Sequence, residues 1–173
     1  MGQDDLKLMN LPRFPREYRA SGLLLHITSL PSPYGIGDVG PTAFAWIDRL
    51  HEAGQSWWQA LPLGPTGYGN SPYQPLSSFA GNGLLISPDG LIEDGLLQKS
   101  DVEGWSFPAT VVDYDAIIRF KHGLLDRIWS YFSSSTCQEL RDAFEEFRQA
   151  QAHWLEDCAL FRALKERHNG VYY

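Results

Sequence analysis

Within seven residues the sequence places Tyr68, Asn70, Ser71, Tyr73 and Gln74 on a glycine and proline frame, GPTGYGNSPYQ. Such a set can hold a sugar without using charge. The apolar C–H face of a pyranose packs on an aromatic ring, and its hydroxyls pair with small hydroxyl and amide groups. Loops rich in Tyr, Gly, Pro and Ser also form plain structural turns, so composition alone leaves both readings open.

A second polar loop, HITSLPSPYGIGD, begins at His26. Its GIGD element has no third glycine at the spacing a dinucleotide site needs, and the chain has no P-loop, HExxH, GxSxG or Cys/His zinc spacing. No metal and no cofactor is therefore implied. The carboxylates do not suggest catalysis either. Asp38, Asp89, Asp94, Asp113 and Asp115 adjoin Gly, Pro or helix starts, where Asp caps or turns a chain. Glu145, Glu146, Glu156 and Asp157 read as a solvated helix face. On this reading none of these carboxylates is a catalytic candidate.

The elements that must position these loops follow from the apolar pattern. Residues 1–19 mix charges with Pro12 and Pro15 without a period, which predicts a loosely attached arm. Gly22 to His26 is a short apolar run expected to form a strand buried on both faces, as in a parallel sheet. Pro41 suits a first helical position, Phe44, Ile47 and Leu50 follow at helical spacing, and Gly54 can close the helix. Trp57 to Leu61 supplies a second apolar run, and the βαβ order predicts a parallel pair and an α/β fold. In such sheets sites form where loops leave the carboxyl ends of the strands. The loop from Pro62 to Gly83, with four Pro, five Gly and three Ser, is long enough to expect a function.

From Asp113 onward the pattern is helical, with Ile117, Ile118, Leu124, Leu125, Ile128 and Trp129 as an apolar stripe before Ser133-Ser134-Ser135. Thr136 and Glu139 form a capping-box signature, and one long helix is expected from there to His168-Asn169-Gly170. Asn82 is expected to tie the long loop, and one of Trp57 and Trp58 to lie in the core.

The whole chain has 173 residues, a formal net charge of −7 and 43% hydrophobic residues, so it can form one globular unit. The acidic balance disfavours nucleic acid as a partner, because phosphate-backbone affinity rests on Lys and Arg. No run approaches the roughly 18 apolar residues of a membrane span, and the first fifteen residues lack a secretory apolar region. A cytoplasmic protein is expected, with Cys137 and Cys158 as reduced structural thiols. No protein partner can be predicted.

The stretches GLLLHITSLPSPYGIGD (Gly22 to Asp38) and WWQALPLGPTGYGNSPYQPLSSFAGN (Trp57 to Asn82) resemble the opening segments of the 4-alpha-glucanotransferases, also called amylomaltases or disproportionating enzymes. WLEDCALFRALKERHNG (Trp154 to Gly170) is similar to the same family. The resemblance covers about Ser21 to Gly170. It implies the first two strands of a (β/α)8 barrel, followed by a helical insertion at about 113–170. The activity implied is transfer of α-1,4-glucan segments from a donor to the 4-hydroxyl of an acceptor, by a retaining double displacement between two carboxyl groups about 5 Å apart. In the family those carboxyl groups lie downstream of the matched segments. A complete barrel takes about 250 residues, so the sequence reads as an amino-terminal fragment of a longer enzyme, itself inactive.

The resemblance also assigns ligand roles. Tyr73 corresponds to a tyrosine at the donor subsite beside the cleavage point, where its ring stacks on the sugar. Ser71 would bond a glucan hydroxyl there, or serve as a turn residue before Pro72. Tyr68 would contact glucan away from the centre, or fill the loop. His26, at the end of the first strand, would face the site or act as scaffold. The partners implied are α-1,4-glucans and maltooligosaccharides. Two alternatives compete: a free-standing maltooligosaccharide-binding module without chemistry, and an inert remnant.

Overall fold

The structure, a computed structural model, describes residues 17–134 and 138–168. Most of the expected arm, the Thr136 cap, Cys137 and Asn169-Gly170 lie outside the described residues. Strand β1 (Gly22–Leu24) pairs in parallel with β2 (Trp57–Gln59), in the register Gly22 to Trp57, Leu23 to Trp58 and Leu24 to Gln59. Helix α1 (Pro41–Glu52) connects them, with Pro41 in its first turn as expected. Gly54 follows at φ 68°, the left-handed conformation that ends a helix without a Cβ penalty.

One expectation for this unit is corrected. β1 is not buried on both faces: Leu23 is 46% and Leu24 60% exposed. All three residues of β1 are exposed, and of β2 only Trp58 packs against a core cluster. In α1 the buried positions are Ala43 and Leu50, while Phe44 and Ile47 are exposed. The helix presents its Ala43, Trp46 and Leu50 side inward. Ala43 joins Ile27, Leu30 and Leu85 in one core cluster, against which Leu25, Trp46 and Trp58 pack. Of the two tryptophans, Trp58 is the core residue, and its indole N–H donates to the Leu25 carbonyl at 2.7 Å.

Beyond the long loop stand two short helices that no expectation covered, α2 (Pro88–Glu93) and α3 (Lys99–Val102). Ser87 caps α2 by accepting the Gly90 N–H, and Gln98 and Asp101 form a capping box on α3. Helix α4 (Tyr114–Ser134) is the spine of this half. Asp113 caps it by accepting the Ala116 N–H at 3.1 Å, the role expected of that aspartate. Its buried side is Ile117, Phe120, Lys121 and Leu124. Ile117 packs with Ile36 and Leu84, and Phe120 and Leu124 pack with Leu97. One helix thus binds the loop after β1 to the segment carrying α2 and α3.

The single long helix expected after Thr136 is two helices, α5 (Gln138–Ala150) and α6 (Ala152–Arg167). At Gln151 the backbone leaves helical geometry (φ −104°, ψ 10°). Across the break Arg148 pairs with Glu156 at 2.6 Å, and the Trp154 indole N–H donates to the Gln151 side chain at 2.7 Å. Among the described residues no helix is long and apolar enough to cross a membrane.

Candidate functional site

Because β1 and β2 are parallel, the loops that follow them leave the same end of the sheet. The Leu25 N–H donates to the Gln59 carbonyl at 3.0 Å, so the two loops begin side by side. The loop from Pro62 to Gly83 folds back on itself. Its neck is closed by the Asn82 N–H on the Leu63 carbonyl and the Leu76 N–H on the Pro65 carbonyl, both at 2.9 Å. Asn82 ties this loop to the next turn as well, because its side chain accepts the Leu84 N–H.

At the tip, residues Tyr68–Asn70 form a single tight turn, and Gly69 (φ 64°) and Asn70 (φ 56°) both adopt the left-handed conformation. Gly accepts it without strain, and Asn is among the few other residues that do. The turn lifts Tyr68 away from the protein, leaving it 80% exposed. Ser71 follows, and its hydroxyl oxygen accepts the Tyr73 N–H at 3.3 Å. Tyr73 is 68% exposed. Gly67 passes so close to the returning strand of the loop that a Cβ there would lie 2.4 Å from the Gln74 carbonyl oxygen. The loop therefore presents two tyrosine rings to solvent on a backbone braced by its own hydrogen bonds, with Ser71 between them. In this geometry Ser71 serves the turn, and one lone pair of its hydroxyl remains for a ligand.

His26 sits on the neighbouring loop, just before the turn Ile27–Ser29. Its Nδ1 is buried without a partner, and burial lowers its pKa from the usual histidine value. Among the described residues no hydrogen bond or ring contact joins His26 to Tyr68, Ser71 or Tyr73. The structure thus brings three of the four candidate ligands together on one loop and leaves His26 on the adjacent one. A groove of about 630 Å³ also follows the His26 loop: Thr28, Ser29, Pro31 and Ser32 line it together with Pro108 and Thr110.

Behind these loops lies a polar cluster that the sequence reading did not find. The Lys121 ammonium on α4 is buried, 3.4 Å from Asp38 Oδ2 and 2.5 Å from the Ile86 carbonyl. Burial pushes the Asp38 pKa up and the Lys121 pKa down, each opposed by the partner charge. Nearby the Tyr34 hydroxyl donates to Asp89 at 2.5 Å, and burial with that carboxylate raises the Tyr34 pKa. Asp38 and Asp89 are therefore more than turn residues. They fasten the loop after β1 to α4 and α2. Glu145 and Glu156 lie half in solvent beside Arg148, as a solvated face requires. Among the described residues no group of three His, Cys, Asp or Glu side chains could hold a metal ion.

The sequence pattern of the 4-alpha-glucanotransferase family matches residues 25–173. A 4-alpha-glucanotransferase of Synechocystis is 50% identical over 154 residues, which is 88% of this chain and 30% of that protein. One from Thermus thermophilus is 48% identical over 153 residues, again 88% of this chain and 30% of that protein. Among solved structures, an amylomaltase from Streptococcus agalactiae in complex with acarbose superimposes with a TM-score of 0.82 at 38% identity, covering 89% of this chain and 31% of that one. The chain thus spans about 30% of the length of the curated relatives it matches.

Proposed function

The chain belongs to the 4-alpha-glucanotransferase family, and from that premise we propose that it is the amino-terminal portion of an enzyme that transfers α-1,4-glucan segments between glucan chains. The observation that carries this reading is the loop from Pro62 to Gly83, which offers exposed tyrosine rings and small polar groups and no charge. The parallel strands joined by α1 fit the start of a (β/α)8 barrel. The long loop would lie at the end of such a barrel where sites form.

In the proposed reaction one carboxyl group attacks the donor's anomeric carbon while a second protonates the leaving glucan. The 4-hydroxyl of an acceptor then displaces the enzyme from the covalent intermediate with net retention. Both carboxyl groups would come from the part of the enzyme outside this chain. Tyr73 would stack on the donor sugar as it flattens, and Ser71 would hold one of its hydroxyls. Tyr68 would hold glucan further from the bond being cut. His26 would line the floor between the loops. Exclusion of water lets a sugar hydroxyl compete for the intermediate. The work would be done in the cytoplasm.

Incubation with maltotriose tests this reading. The full-length protein is expected to yield glucose together with longer maltooligosaccharides, and the 173-residue chain alone to yield neither. Release of glucose and maltose alone from the full-length protein would make it a hydrolase and sink the proposal.

A further inference from the structure

The long loop has almost no core of its own. Between Pro62 and Gly83 only Pro65 is buried. The two hydrogen bonds at its neck hold it closed, but they do not fix where it leans. Ring contacts to α6 supply that support. The Phe79 ring stacks on Trp154 at 6.2 Å between centroids and 17° between planes, and meets the edge of His153 at 5.8 Å and 82°.

Both partners in the stack are held from behind. The Ser77 hydroxyl oxygen accepts the N–H groups of Phe79 at 3.2 Å and Ala80 at 3.1 Å, which fixes the turn that aims the phenyl ring. The Trp154 indole is anchored to Gln151 at the break between α5 and α6. Further along the loop the packing opens. A cavity of about 220 Å³ separates Asn70 and Leu76 on the loop from His122 and Leu125 on α4 and Arg162 on α6. The loop therefore touches the helical segment firmly at Phe79 and loosely near its tip.

We propose that Trp154 and Phe79 are positioning residues for the loop that carries Ser71 and Tyr73. α6 serves as the strut that sets where Tyr73 meets the donor sugar. This rests on the glucanotransferase reading for its kinetic consequence, though not for its structural one. The break at Gln151 gains a role: it places Trp154 at the first turn of a separate helix, where its ring can face the loop.

The test has two arms, both in the full-length protein. Phe79 is 66% exposed, so Phe79→Ala removes the stack without opening a cavity in the core. Hydrogen exchange followed by mass spectrometry is expected to show amides of residues 66–76 exchanging about tenfold faster in Phe79→Ala and in Trp154→Ala, with Trp154→Phe close to wild type. Unchanged exchange in that segment overturns the proposal whatever the protein's activity. In the kinetic arm, each alanine variant is expected to lower kcat/KM for maltotriose by about tenfold. Combined with Tyr73→Ala, Trp154→Ala is expected to add little further loss, because both act through one contact. Independent, multiplying losses would also overturn it. A wild type that fails to disproportionate maltotriose refutes the glucanotransferase reading instead and leaves the exchange result to decide this one.

Discussion

Lys121 of α4 and Asp38 of the loop after β1 form a buried ion pair, 3.4 Å apart and 83 residues apart in the chain. It joins the βαβ start of the chain to the helices that follow. The Lys121 ammonium also donates to the Ile86 carbonyl, so the cation has a second hydrogen-bond partner. Buried pairs of this kind resist loss of one member more than loss of both.

Lys121→Met is therefore expected to destabilise the protein by about 3–5 kcal/mol, since it leaves the Asp38 carboxylate buried without its cation. Adding Asp38→Asn is expected to recover a large part of that loss. Urea midpoints of the two single variants and the double variant measure the coupling. Strictly additive losses would show that the pair contributes no more than its separate groups.

Gly67→Ala is expected to disturb the candidate site directly. The new Cβ would sit 2.4 Å from the Gln74 carbonyl oxygen, a backbone atom that cannot swing aside. Relieving that clash must part the two strands of the loop, at a cost of about 1–3 kcal/mol. Thermal melts would register the cost, and acarbose binding should weaken along with them. Unaltered binding would mean that the geometry of the loop does not matter to the ligand.

His26 gives a pH dependence with a defined sign. Burial lowers its pKa in the folded protein below the 6.5 of the exposed side chain. The unfolded chain then binds more protons as pH falls through that range. The contribution of His26 to stability is present above the unfolded pKa and is lost as pH falls toward the folded one. Melting temperatures measured from pH 7 down to pH 5 should drop more steeply for wild type than for His26→Gln. Parallel curves would contradict the assignment.

The βαβ start was legible in the sequence because its signals are local: two short apolar runs, Pro41 and Gly54 at the helix ends, and no room for another order. The long loop after β2 was legible as a loop from its Gly, Pro and Ser content, and its glycines at 67 and 69 prove to be required by close approach and by positive φ. What failed left no local signal in the sequence. Nothing in a short apolar run says whether both faces will be covered, so the exposure of β1 was missed. The break at Gln151 carries neither Gly nor Pro, and apolar residues continue at helical spacing through it.

The Lys121 pair was missed for a different reason. An aspartate next to Gly37 reads as a turn residue, and Lys121 stands out from its apolar helical neighbours only once its register is counted. A signal was nevertheless present. Ile117, Phe120, Lys121 and Leu124 fall at i, i+3, i+4 and i+7, so the lysine occupies a position of the buried stripe. A charge in that register calls for a buried partner.

The central claim is that the loop bearing Tyr73 contacts the glucan donor. Calorimetric titration of acarbose into the full-length protein, wild type and Tyr73→Ala, tests it most directly. Loss of a ring stacked on a sugar is expected to weaken binding by about tenfold, on the scale of an aromatic contact beyond its area. Tyr131→Ala on α4, outside the loop, should bind as wild type does. Equal affinity for acarbose in Tyr73→Ala and wild type would contradict the account.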